Sequence, residues 1–68
     1  MRLSARNQLR GTVESVNRGG AIANVVVDVQ GQRVVASITV EAVDGLEIRE
    51  GDEVTAVIKA SDVMIAKD

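Results

Sequence analysis

The chain has 68 residues and a formal net charge of −2, with 46% hydrophobic residues and no Cys, His, Phe, Tyr or Trp. A domain of this size buries only about 60% of the surface its unfolded chain exposes. Disulfides, ordinary zinc ligation and aromatic burial are all excluded by composition, which leaves self-association to support a thin aliphatic core.

The opening stretch LSARNQLRG gathers a hydroxyl, a guanidinium and two amides in Ser4, Arg6, Asn7 and Gln8. Residues 9–16 then alternate, with Leu9, Gly11 and Val13 on one face and Arg10, Thr12 and Glu14 on the other, which predicts a strand. Residues 17–20 (NRGG) break it. From 21 to 29 the odd positions Ala21, Ala23, Val25, Val27 and Val29 are all apolar. Gln30 and Gly31 form a turn candidate, and residues 33–40 repeat the alternation through Val34, Ala36, Ile38 and Val40, so the two runs read as a hairpin. Residues 41–46 are long enough for one helical turn, with Gly45 ending it. A turn at 50–52 leads to residues 53–59, where Val54, Ala56 and Ile58 face inward. Residues 60–62 interrupt, and 63–66 form a last short strand.

The expected fold is all-β: a small OB-like five-stranded β-barrel with one short helical turn, in a single domain spanning residues 1–68. There is no linker, repeat or low-complexity segment. The nominally outer faces carry Ile22, Val26, Val35 and Val57. Four such residues on so small a chain point to a subunit interface, since obligate interfaces resemble a core cut in half. No apolar run reaches the roughly 20 residues of a membrane-spanning helix, and the first residues lack the apolar region of a signal peptide. The cytoplasm is the expected location.

No catalytic constellation is present. Without His or Cys, the commonest general base and the best nucleophile are missing. Glu41, Asp44, Glu47, Glu50, Asp52 and Glu53 cluster near turns, where solvation and turn formation account for them. No calcium loop or phosphate-cradling loop is legible. What remains is a set of hydrogen-bond donors at strand ends: Ser4 and Arg6, Thr39, and Lys59 and Ser61. Singly, each has an ordinary role as a cap, a turn residue or a solvated strand end. Together they offer N–H and O–H groups and two cations, with no carboxylate adjoining Arg6 or Lys59 in sequence. A fully ionised oxyanion only accepts hydrogen bonds, so such a set suits it. Backbone N–H groups at the start of a helical turn add donors.

The motifs SARNQLRG and VTAVIKASDVMIA, with GLEIREGDEV between them, closely resemble the Mop family of small molybdate-binding proteins, the molbindins. The resemblance spans the whole chain. It implies an OB-like barrel of the TOBE type that exchanges a strand with a neighbour and assembles as a hexamer, a trimer of dimers. It implies tetrahedral molybdate or tungstate bound at subunit interfaces, for molybdenum storage or homeostasis, with no catalytic cofactor and no metal held as a bare cation. In such a site Ser4, Ala5 and Arg6 come from one chain and Lys59, Ala60 and Ser61 from its partner. Ser4 and Ser61 supply hydroxyls, Ala5 and Ala60 act through backbone N–H groups, and Arg6 and Lys59 supply charge, with a contribution through the Arg6 backbone as the alternative for that residue. Thr39 matches a further hydroxyl position. Three residues on, many relatives carry Ser where this chain has Ala42.

Two rival readings stay open at this stage. A nucleic-acid-binding OB module relies on aromatic stacking and a basic groove, and this chain has no aromatic residue and a negative net charge. A regulatory or purely structural oligomer would use the same donors as turn chemistry. An enzyme and a membrane partner are not expected.

Overall fold

The structure, a computed structural model, describes residues 2–68. The elements are β1 (Asn7–Arg18), β2 (Ile22–Val29), β3 (Gln32–Thr39), the short helix α1 (Val40–Gly45), β4 (Glu53–Ile58) and a 3-10 turn at Ala60–Asp62. The four strands form one antiparallel sheet in the order β3-β2-β1-β4.

The β2–β3 hairpin follows from its two-residue loop. Gln30 and Gly31 both have positive φ, 51° and 88°, the geometry whose twist matches that of the flanking strands. Asp28 Oδ1 accepts from the Gly31 N–H at 3.1 Å and fastens the loop.

β1 is long because it serves two partners. Residues 7–12 pair with β4, and residues 12–18 pair with β2 around a bulge at Glu14. Gly11 permits the crossover. A Cβ there would lie 2.5 Å from the Asp28 carbonyl oxygen and 2.7 Å from a Val27 methyl. In register, β1 runs past the end of β2 at this point and continues paired to β4 alone. A two-stranded ribbon therefore projects from the sheet.

The core is Val13, Ala23, Val25, Val27 and Val43, with Val16, Val29, Ala36, Ile38, Val40, Ile48 and Val54 packed around it. The odd face of β2 is thus the inner face, as its alternation predicts. Ile22, Val35 and Val57 on the outer faces are exposed. Val26 is not: it is buried within this chain. It lies between Ser15 and Val35 in register, and the Arg33–Glu14 ion pair at 3.4 Å reaches from β3 to β1 across β2. Val26 thus belongs to the protomer and not to an interface.

The end of β1 and the number of strands differ from the sequence reading, whereas the end of the helix agrees with it. β1 continues to Arg18, because the NRGG stretch begins as strand and the chain turns over residues 19–21, with the Gly19 N–H donating to the Ile22 carbonyl at 2.8 Å. The helix ends at Gly45, as expected, although Gly45 does not itself take the left-handed conformation. The left-handed residue is Glu47, at φ 54°, where the Glu47 N–H meets the Asp44 carbonyl and the Ile48 N–H meets that of Val43. This is the paired-bond termination that usually carries glycine. Finally, the sheet is open and has four strands. Residues 63–66 form no strand within the chain, since no edge of the protomer pairs with them, and Met64 and Ile65 are 92% and 88% exposed.

Among the described residues no helix is long and apolar enough to cross a membrane.

Candidate functional site

The pairing of β1 with β4 decides where the terminal motifs meet. The last pair of the projecting ribbon is Asn7 opposite Ile58. Arg6, Ala5 and Ser4 continue from one side of that pair, and Lys59, Ala60 and Ser61 from the other. All six line one cavity of about 380 Å³.

Lys59 is extended (φ −62°, ψ 134°) and leads into the 3-10 turn. Within that turn the Asp62 N–H donates to the Lys59 carbonyl at 2.9 Å and the Val63 N–H to the Ala60 carbonyl at 3.3 Å. The Ala60 and Ser61 N–H groups precede these bonds and take no part in them. Neither Arg6 nor Lys59 joins an ion pair among the described residues; the paired arginines are Arg10, Arg18 and Arg33. No carboxylate lines the cavity. The residues around the cavity thus carry two cations, two hydroxyls and main-chain amides, a set of donors suited to a small anion.

Six of the seven expected site residues are therefore together. The expectation divided them between two chains, yet here residues 4–6 and 59–61 face one another on the same chain. Thr39 is not among the lining residues. Its Oγ1 caps α1 by accepting from the Ala42 N–H at 3.0 Å.

Two further residues hold the motifs in position. Asn7 Nδ2 donates to the Ile58 carbonyl at 3.2 Å, and Gln8 Nε2 donates to the Ala5 carbonyl at 3.1 Å. The amide-rich opening stretch was the signal for them, although sequence spacing does not say which carbonyls they reach.

A second cavity of about 290 Å³ is lined by Arg10, Gly11, Thr12, Asp28, Gln30 and Glu53. It is unsuited to an anion, because two carboxylates line it and Arg10 is engaged by Glu53 at 3.2 Å. Among the described residues no group of three or more His, Cys, Asp or Glu could hold a metal ion.

Known proteins match this chain along nearly its whole length. Molybdenum-pterin-binding protein 3 of Clostridium pasteurianum is 46% identical over 66 residues, covering 96% of this chain and 97% of that protein. A molybdate-binding protein from Sporomusa ovata superposes with a TM-score of 0.95 at 39% identity, covering 98% of this chain and all of that one. The cytoplasmic molybdate-binding protein ModG superposes with a TM-score of 0.89 at 43% identity, covering 94% of this chain and 46% of that one. The TOBE domain model matches residues 3–65, so the chain belongs to the TOBE domain family, among its small Mop members.

Proposed function

We propose that this protein binds molybdate or tungstate, as the intact oxyanion, at the tip of the β1–β4 ribbon, and that it serves molybdenum storage or homeostasis in the cytoplasm. The observation that carries this reading is the Asn7–Ile58 register, which sets residues 4–6 against 59–61 around a cavity without a carboxylate. Ser4 and Ser61 donate hydroxyls, Ala5 and Ala60 donate main-chain N–H groups, and Arg6 and Lys59 supply charge. Charge-assisted bonds of this kind are shorter and stronger than neutral ones. The protein performs no reaction on its ligand. The name of the Sporomusa ovata relative, a molybdate-binding protein of similar length and shape, supports the assignment, and ModG, described as cytoplasmic, supports the location.

The Clostridium pasteurianum relative and three others are named for a molybdenum-pterin. A pterin ring calls for stacking, and the chain has no aromatic residue. The oxyanion is therefore the ligand we assign.

A second copy completes the site. The cavity is larger than a tetrahedral oxyanion needs, and the ribbon that carries it is two strands wide, an arrangement only marginally stable in water on its own. Leu9 and Val57 on that ribbon, and Met64 and Ile65 beyond it, are exposed. We assign these to contacts between copies in a hexamer, with residues 63–66 passing to a neighbour as the fifth strand of its barrel. Thr39 offers its O–H to an anion from elsewhere in that assembly. Residues 1–68 act as one domain, with no nucleic-acid or membrane partner.

Calorimetry with molybdate, tungstate, sulfate and phosphate tests the ligand. Saturable heat with molybdate and tungstate supports the reading, and its absence leaves a structural oligomer. Retention on a nucleic-acid column at low salt supports the OB-module alternative instead. Native mass spectrometry with and without molybdate tests the assembly.

A further inference from the structure

We propose that Gln8 is a positioning residue of the anion site, which holds the Ala5 carbonyl and so presets the main-chain N–H of Arg6 as a donor to the bound oxyanion, an inference that rests on the oxyanion assignment above. A trans peptide is planar, with its C=O and N–H pointing in opposite directions, and no cis peptide occurs among the described residues. The Ala5 carbonyl and the Arg6 N–H belong to one such unit, so fixing the first aims the second. Ala5 and Arg6 both line the cavity.

Gln8 Nε2 donates to the Ala5 carbonyl at 3.1 Å. Ala5 precedes β1, so strand pairing does not hold its peptide, and this side-chain amide is the donor that does. The Arg6 N–H has no partner among the described residues and is left to meet a guest. Asn7 is the contrast. Its Nδ2 reaches the Ile58 carbonyl at 3.2 Å, but Ile58 lies within β4 opposite Asn7, where the strand ladder already holds the backbone. Gln8 has no packing reason to be an amide. It is exposed and faces Val57 across the ribbon, where strand pairing needs only its backbone. Its side chain turns back three residues instead. A hydrogen bond to a carbonyl also polarises the peptide and strengthens the N–H at its other end. Without Gln8, the Ala5–Arg6 unit must be ordered when the anion binds, at a cost in affinity.

Equilibrium dialysis with molybdate compares the wild type, Gln8→Met, Arg6→Ala and the double variant. Met matches Gln in length and has no donor, and position 8 is exposed, so the variant folds. In Gln8→Met the affinity falls by about fivefold, the worth of one hydrogen bond, while the native mass stays that of the wild type. The Arg6 main-chain amide resonance shifts in nitrogen-15 spectra of the unliganded protein. Arg6→Ala removes the guanidinium and keeps the N–H, so Gln8→Met causes the same fivefold loss in that background. Wild-type affinity in Gln8→Met, or an Arg6 amide resonance left in place, overturns the proposal. A loss that vanishes once the guanidinium is gone also overturns it, because Gln8 then acts through the Arg6 side chain. A changed native mass does the same by making Gln8 an assembly contact. These results leave the oxyanion assignment intact, whereas a wild-type protein that takes up no molybdate overturns both.

Discussion

The Thr39 hydroxyl accepts a hydrogen bond from the Ala42 N–H at 3.0 Å and so closes the first turn of α1. The helix spans six residues, far too few to persist alone in water, and it is held by this cap and by Val43, which is fully buried in the core. Removing the hydroxyl in Thr39→Ala costs about 1 kcal/mol, which lowers the melting midpoint by about 4–8 °C in a domain of this size. Thermal unfolding followed by circular dichroism checks it. Capping uses an oxygen lone pair and leaves the O–H to donate elsewhere. Molybdate affinity therefore falls as well, and Thr39→Ser restores both. A loss of stability without any loss of affinity confines Thr39 to its cap.

The end of the same helix is under mild strain. Glu47 holds the left-handed conformation at φ 54°, which costs an L-residue about 1–2 kcal/mol. Gly45, two residues earlier, has no positive φ and open space where a Cβ would go. Exchanging the roles, Gly45→Ala with Glu47→Gly, stabilises the protein by about 1 kcal/mol, since glycine is tolerated at the turn and wasteful inside the helix. The urea midpoint rises. A midpoint at or below wild type means that the Glu47 side chain makes a stabilising contact exceeding the backbone strain.

Gly11 has no such freedom. An added methyl would press on the Asp28 carbonyl oxygen at 2.5 Å, and backbone cannot step aside as a flexible side chain can. Gly11→Ala therefore forces β1 away from β2 at the point where it changes partners, costing about 1–3 kcal/mol in the way that overpacking does. Chemical denaturation reads this as a lowered midpoint at an unchanged slope.

These contrasts explain what the sequence could say. Alternation along β2 names the core correctly, because a strand's period is two and its faces are independent of its partners. It misassigns Val26, because burial on the outer face depends on the strands on either side, β1 and β3, and not on the alternation of β2 alone. Residues 63–66 read as a strand and are extended in chemistry, but a strand is defined by its partner, and the protomer provides none. The candidate site was legible for a different reason. Six of its residues adjoin the ends of two paired strands, so one register, Asn7 with Ile58, brings them together. Asn7 and Gln8 were visible as unusual residue types, whereas the carbonyls they reach are a property of the fold.

Arg6 and Lys59 are cations with no ion-pair partner among the described residues, on opposite walls of the cavity. A hydrogen bond to a charged group contributes about 1.5–3 kcal/mol, so Arg6→Ala or Lys59→Ala each weakens molybdate binding by about tenfold or more. Both residues are exposed and outside the core, so native mass spectra stay those of the wild type. Equilibrium dialysis gives the affinity. Should one variant bind as tightly as wild type, that residue contributes through its main-chain N–H and not through its charge.

Residues 63–68 make the sharpest division between fold and assembly. Val63, Met64 and Ile65 are apolar and exposed, and contiguous apolar surface of this kind on a small protein marks a contact site. Nothing in the core depends on them, since every core residue lies between Val13 and Val54. A chain shortened after Asp62 therefore keeps its β-sheet circular dichroism, with a lower melting midpoint, and its native mass drops to that of one copy. Ile65→Asp achieves part of the same effect with the chain length intact, because a carboxylate cannot enter an apolar strand contact without losing its hydration. If both variants keep the wild-type mass, the copies are joined through the outer face of β2 and β3, where Ile22 and Val35 are exposed, and residues 63–66 are not exchanged.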